Sequence, residues 1–177
     1  MLHNIKNRGF TLIELVFAIF ILAVVIIGVY NSFSTVVILT TGYSSRFTAS
    51  YLAEEGIEII RNMRDNNWLN GRSWATGLSD TNTNCLNGCE ADYKTGTLPS
   101  LILIPWTSNG NYLNIQENGF YSYSNTGIFS PTKFKRRIII TPDIFNSNVL
   151  KVSVLVIWQE KDEVFDMKAE EYLYNWN

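Results

Sequence analysis

The residues able to do chemistry in this chain are few and scattered. The single histidine, His3, stands among the first nine residues, so a Ser-His-Asp or Cys-His nucleophile system has no imidazole elsewhere to act as its base. Cys85 and Cys89 sit in the loop TNCLNGCEAD. They can close a tight ring, act as a redox pair or stay as free thiols. Two cysteines without a histidine supply only half of a tetrahedral zinc set. Asp80, Asn82 and Asn84 alternate as calcium-loop ligands do, but Cys85 and Ala91 stand where an EF-hand needs glycine and glutamate. Glu170 and Glu171 are neighbours, and in a strand neighbours point to opposite faces, a poor acid–base pair. The residues favour neither catalysis nor a resident metal or cofactor, and the chain reads as a non-enzyme.

Lys133, Lys135, Arg136 and Arg137, with Phe134 among them, form the one basic cluster. Cations interleaved with an aromatic can hold phosphates and stack bases, which makes Lys135, Arg136 and Arg137 candidate nucleic-acid contacts. Strand alternation divides them between two faces. A charged strand edge that resists edge-to-edge pairing is the expected role. The five tryptophans are read as core or turn anchors.

Glu14 is the most informative carboxylate, the only charge between Gly9 and Arg46. Of the 30 residues from 10 to 39, 23 are apolar, which leaves the remaining chain at about 39% apolar, lean for a globular domain. Phe10–Tyr30 as a helix spans about 32 Å, enough to cross a hydrocarbon layer of about 30 Å. An unpaired carboxylate in such a helix costs about 2.5–3.5 kcal/mol. Glu14 therefore either sits at the interface or meets a cation. The candidates in this chain are Lys6, Arg8 and the amine that cleavage after Gly9 would create. No A-x-A-like site follows the apolar run, so the helix is expected to stay in the mature protein. Lys6 and Arg8 on the cytoplasmic side place the remaining bulk across the membrane. Disulfides persist there, which favours a Cys85–Cys89 bridge that fixes local shape and adds little through loop closure.

These groups must be positioned by the elements around them. Residues 46–64, RFTASYLAEEGIEIIRNMR, place Ala49, Leu52, Ala53, Gly56, Ile59, Ile60 and Met63 at spacings of three and four, an amphipathic helix. Glu58–Arg61 and Arg61–Asp65 have helical pair spacing on its other side. Gly42 and Gly56 loosen the rod, while Asp65-Asn66-Asn67 and Gly71 are expected to end it. Beyond it lie short strand candidates at Leu101–Trp106, Tyr112–Ile115 and Phe120–Tyr123, then stronger ones at Phe134–Thr141, Leu150–Gln159 and Val164 to about Tyr174. In the last three, Arg136, Ile138 and Ile140 alternate with Arg137, Ile139 and Thr141, and Val152, Val154, Val156 and Trp158 share a face. An antiparallel meander covering the Leu52–Met63 stripe follows. The predicted class is α+β: a leader at 1–9, a helix at 10–64 whose membrane half is 10–30, and a loop-rich then antiparallel β domain at 65–177.

KNRGFTLIELVFAIFIL, continuing to Tyr30, resembles the processing signal of type IV prepilins and type II secretion pseudopilins. The resemblance implies cleavage between Gly9 and Phe10 by a prepilin peptidase and N-methylation of Phe10. It also implies pairing of Glu14 with the Phe10 amine of a neighbouring subunit, and the pilin fold. Its partners would be other pilins through residues 10–45, the peptidase, an inner-membrane assembly platform and, before assembly, membrane lipid, with no small-molecule substrate. Localisation would be single-pass in the inner membrane, N-terminus cytoplasmic, then in a pilus or pseudopilus. YLAEEGIEIIRNMRDNNW and LKVSVLVIW…EEYLYNW resemble minor pilins of the pilus-modification type and the I-type pseudopilin. The lack of proline before Pro99 fits a minor component, since major pilins often carry one along this helix. The alternative function is a DNA-binding pilin of an uptake apparatus. Loss of the leader leaves 12 basic and 16 acidic side chains, net −4, which disfavours nucleic acid.

Overall fold

A computed structural model describes residues 9–79, 85–96 and 102–176. His3, Lys6, Arg8, the Asp80–Asn82–Asn84 set and Leu101 lie outside them. The chain forms two compact units, Met1–Ser45 and Arg46–Asn177, and one helix, α1 (Leu12–Leu69), contributes to both.

In the first unit, Thr11 opens α1. Its hydroxyl oxygen accepts the Glu14 N–H at 3.4 Å and its carbonyl accepts the Leu15 N–H at 3.2 Å, an N-cap. The stretch Leu12–Phe33 is long and apolar enough to cross a membrane, and none of it is buried against protein. Two hydroxyls on and just beyond it bond back to the helix backbone. Ser32 donates to the Gly28 carbonyl at 3.0 Å, and Thr40, just beyond, donates to Val36 at 2.8 Å.

The second unit pairs the rest of α1 with an antiparallel sheet of seven strands: β1 (Cys89–Glu90), β2 (Ile104–Pro105), β3 (Tyr112–Gln116), β4 (Tyr121–Ser122), β5 (Phe129–Pro142), β6 (Val149–Glu160) and β7 (Glu163–Tyr174). The β5–β6–β7 meander follows the apolar alternation of these runs. Ile138 lies opposite Val154 and Ile140 opposite Val152, all buried. Facing them are Ala49, Leu52, Ala53, Ile60 and Met63, each at most 1% exposed.

Gly56 is more than a loosened point. A Cβ there would lie 2.8 Å from Val154 Cγ1 and 3.0 Å from Arg136 Cδ. The series Ala49, Ala53, Gly56 is thus the surface that lets the helix backbone approach the sheet.

The structure corrects three expectations. Residues 133–137 are not on an edge: β5 is flanked by β6 on one side and by β1 and β3 on the other. The helix continues past Arg64 because Asn67, a residue that favours turns, is buried with its amide donating to the carbonyls of Trp74 (3.1 Å) and Thr76 (2.8 Å). Termination falls to Gly71, at φ +64°. The Gly71 N–H donates to Trp68 and the Arg72 N–H to Asn67, the double bond of a Schellman end. Finally, Arg61 meets Glu58 as its spacing predicts but reaches Glu171 on β7 (2.6 Å) instead of Asp65, which Arg64 holds at 2.8 Å.

Candidate functional site

Gly9 and Phe10 precede the capping Thr11. A Cβ at Gly9 would meet nothing within 4 Å, and Phe10 is 79% exposed. Glu14 falls in the first turn of α1, and among the described residues its carboxylate has no ion-pair partner. The amino end of a helix favours a carboxylate by about 0.3–1 kcal/mol. Burial in hydrocarbon costs about 2.5–3.5 kcal/mol, so the helix end alone does not offset full burial of the charge.

Cys85 and Cys89 are joined by a disulfide across a Cα–Cα distance of 5.0 Å. The enclosed Gly88, at φ +104°, donates its N–H to Cys85 (3.0 Å) and accepts from Trp106 (3.0 Å). The ring is thereby tied to both β1 and the loop after β2. Both sulfurs lie in buried residues, so the bridge belongs to the core.

The basic cluster is divided by strand alternation. Arg136 is fully buried on the helix-facing side of β5. It donates to the carbonyls of Leu52 (3.0 Å) and Ala91 (2.6 Å) and pairs with Glu55 at 2.7 Å. As a surface contact for nucleic acid it is excluded, and it serves as a strut between α1 and the sheet. Lys133, Lys135 and Arg137 share the opposite face. They line a groove of about 440 Å³ with Trp106 and Tyr112. Lys135 Nζ lies 4.4 Å from the Tyr112 ring, and Arg137 lies 5.9 Å from that of Trp106.

Several polar anchors are invisible to motif reading. Glu90, wholly buried, accepts the Asn111 backbone N–H (2.6 Å) and side-chain amide (2.7 Å). Asp92 accepts the Ser122 hydroxyl at 2.6 Å. Tyr123 donates to the Arg136 carbonyl at 3.1 Å, and burial pushes its phenol well above the ordinary tyrosine range. The Arg61 guanidinium is pushed up by its hydrogen bonds to Glu171. Glu170 faces the other way, toward Lys168 and Lys151, whose hydrogen bonds hold it below the usual carboxylate range. Nothing in CEADY marks Glu90 or Asp92 in advance, since Asn111 and Ser122 stand far along the chain.

One comparison bears on the helix start. The prokaryotic N-terminal methylation motif matches residues 4–30. No curated protein and no solved structure matches the chain. The motif spans Gly9, Phe10 and Glu14 and runs into the apolar half of α1, which supports a type IV pilin-like precursor anchored in a membrane. It implies processing by a prepilin peptidase and assembly with other pilins, and pilin-like proteins are generally structural. Among the described residues there is no group of three or more His, Cys, Asp or Glu able to hold a metal.

Proposed function

We propose that this chain is a structural minor pilin or pseudopilin subunit. It is cleaved between Gly9 and Phe10, methylated on the Phe10 amine and held in the membrane by the apolar half of α1. It then assembles into, or primes, a pilus or secretion pseudopilus. The observation that carries this reading is the methylation motif running into a helix of exposed apolar side chains whose one charge is Glu14. The carboxylate cost derived above exceeds what the helix end supplies, and the Phe10 amine of a neighbour would supply the missing cation. Desolvation of Glu14 thereby becomes a force for polymerisation.

The minor-subunit reading draws on the lack of proline before Pro99. It does not extend to nucleic-acid capture. Arg136 is sealed inside, and Lys133 and Lys135 already engage Glu160 and Asn109. The test is mass spectrometry of the chain produced with a prepilin peptidase. The expected N-terminus is methylated Phe10. An intact leader, or cleavage beyond Tyr30, overturns the reading.

A further inference from the structure

The turn between β5 and β6 carries two large apolar side chains in full contact with solvent. Ile144 is 91% exposed and Phe145 96%. The backbone beneath them is tied down at every step. The Asp143 carboxylate accepts the N–H groups of Phe145 (2.8 Å) and Asn146 (2.9 Å), and the Asn146 side chain accepts that of Asn148 (3.0 Å). The Asp143 N–H donates to Val149, the Val149 N–H to Asn146 and the Asn175 N–H to Asn148, at 2.9–3.0 Å. The turn thus holds Ile144 and Phe145 outward as a convex tip.

Placement within the second unit narrows what the tip can meet. α1 enters the unit at Arg46, whose guanidinium lies 5.7 Å from the Phe165 ring, beside the turn between β6 and β7. The β5–β6 turn closes the other end of β6, a strand of 12 residues and so about 40 Å long. Tyr174 and Trp176, both exposed, stand at that same end, since Val149 pairs with Tyr174 and Asn148 with Asn175.

Area, charge and flanking aromatics together select the occupant. Ile144 and Phe145 present roughly 300–400 Å², against about 800 Å² per partner in a stable protein interface. The one charge in the turn is Asp143, whose carboxylate is engaged by two N–H groups, and Asn146, Ser147 and Asn148 are neutral. The tip therefore offers no charge by which to recognise a protein surface or a phosphate chain. Hydrocarbon demands neither a large area nor complementary charge. Tyrosine and tryptophan behind an apolar tip suit the interfacial layer of a bilayer.

Resting on the membrane-anchored reading above, we propose that the Ile144–Phe145 tip inserts into a lipid bilayer other than the one holding α1. The tethered end of the unit is the Arg46 end, so the tip at the other end is offered to a second, apposed surface. One tip is a weak ligand, but chains gathered in one membrane act together.

The test uses the full chain, processed by the peptidase and reconstituted through α1 in phosphatidylcholine vesicles. These are mixed with protein-free phosphatidylcholine vesicles that carry a fluorescent lipid. Chain-bearing vesicles should capture the labelled ones about tenfold above vesicles without protein. Ile144→Ser with Phe145→Ser should return capture to background, with the tryptophan unfolding midpoint unmoved because both side chains are exposed. Salt raised to about 1 M should leave capture unchanged, since no ion pair is involved. If the serine variant loses its folded fluorescence, Phe145→Trp decides. Its emission should be quenched by bromine-labelled acyl chains in the captured vesicles more than that of wild type, and equal quenching overturns the proposal. Capture that survives the serine variant, or that needs an anionic lipid, overturns it as well. So does clustering of chain-bearing vesicles that leaves the bare ones free, which assigns the tip to a second copy. Chains that wash out of their own vesicles instead remove the anchored reading, and the proposal with it.

Discussion

The two halves of α1 obey opposite rules within one continuous helix. Before Ser34 the large apolar side chains are more than half exposed, from Leu12 at 81% to Val24 at 54%. After Ser45, apolar residues at three-and-four spacing are buried at 0–1%, and the exposed face carries the charges. The first half is hydrophobic all round because its solvent is not water; the second is amphipathic because its own sheet covers one side. Each half therefore fails in its own way. Loss of Glu14 should affect only encounters between chains, whereas changes in the core of the second unit should affect its folding alone. Fluorescence separates these outcomes, since Trp68, Trp74, Trp106, Trp158 and Trp176 all lie in the second unit.

The largest effect is expected at Glu14. Glu14→Val removes the buried-charge cost of about 2.5–3.5 kcal/mol, so insertion should be unchanged or improved. Recovery in assemblies with other pilins should fall to background, with the tryptophan unfolding midpoint unmoved. Unchanged assembly would remove the pairing argument, and a shifted midpoint would break the division between the halves.

Next is Arg136→Met in the second unit. The variant removes the guanidinium bonds to the Leu52 and Ala91 carbonyls and leaves Glu55 unpaired. Glu55 is partly exposed and can hydrate, which places the loss at the low end for a broken buried pair, about 3 kcal/mol. Denaturation of the full chain in detergent, followed by tryptophan fluorescence, measures it. Insertion should be untouched. A change below about 0.5 kcal/mol would show that Arg136 is not a strut. Gly56→Val, a smaller insult, drives a branched side chain against Val154 and should cost about 2 kcal/mol in the same assay.

How much was legible follows from these residues. Glu14 declares itself because a lone carboxylate in an apolar run violates the local pattern. The meander was legible because β-branched residues alternate through β5 and β6. Arg136 was harder: four cations in five positions look like a surface patch, and only the register against Val156, with Leu52 and Ala91 across the core, shows that one of them points inward. Gly56 likewise reads as a weak point until the sheet beneath it is known. β1 escaped notice because Cys89–Glu90 is too short to show a period and is held by a disulfide and by Asn111.

The Cys85–Cys89 bridge gives a smaller effect than its burial suggests. Loop-closure entropy for so short a ring is about 2 kcal/mol or less, so the double serine variant should still fold, with a midpoint lowered by no more than that. Loss of folding would mean that the bridge holds β1 and the loop after β2 together, a role beyond its ring size.

The smallest effect is confined to alkaline solution. Burial raises the Tyr123 phenol above its ordinary value near 10. In the folded state it keeps its proton where the unfolded chain has lost it. The stability this provides is fully present below pH 10 and is lost as pH rises from there toward the folded-state value. The decline steepens by at most about 1.4 kcal/mol per pH unit for one proton. Tyr123→Phe should lose about 1 kcal/mol at neutral pH with its hydrogen bond to Arg136, yet decline less steeply than wild type above pH 10. Midpoints of tryptophan-monitored unfolding from pH 8 to 11 compare the two slopes. Tyr121 is also shifted upward by burial, but it is present in both chains and cancels in the difference. Parallel slopes would place the Tyr123 hydroxyl in water, and with it the sheet face that the core of the second unit is argued to seal.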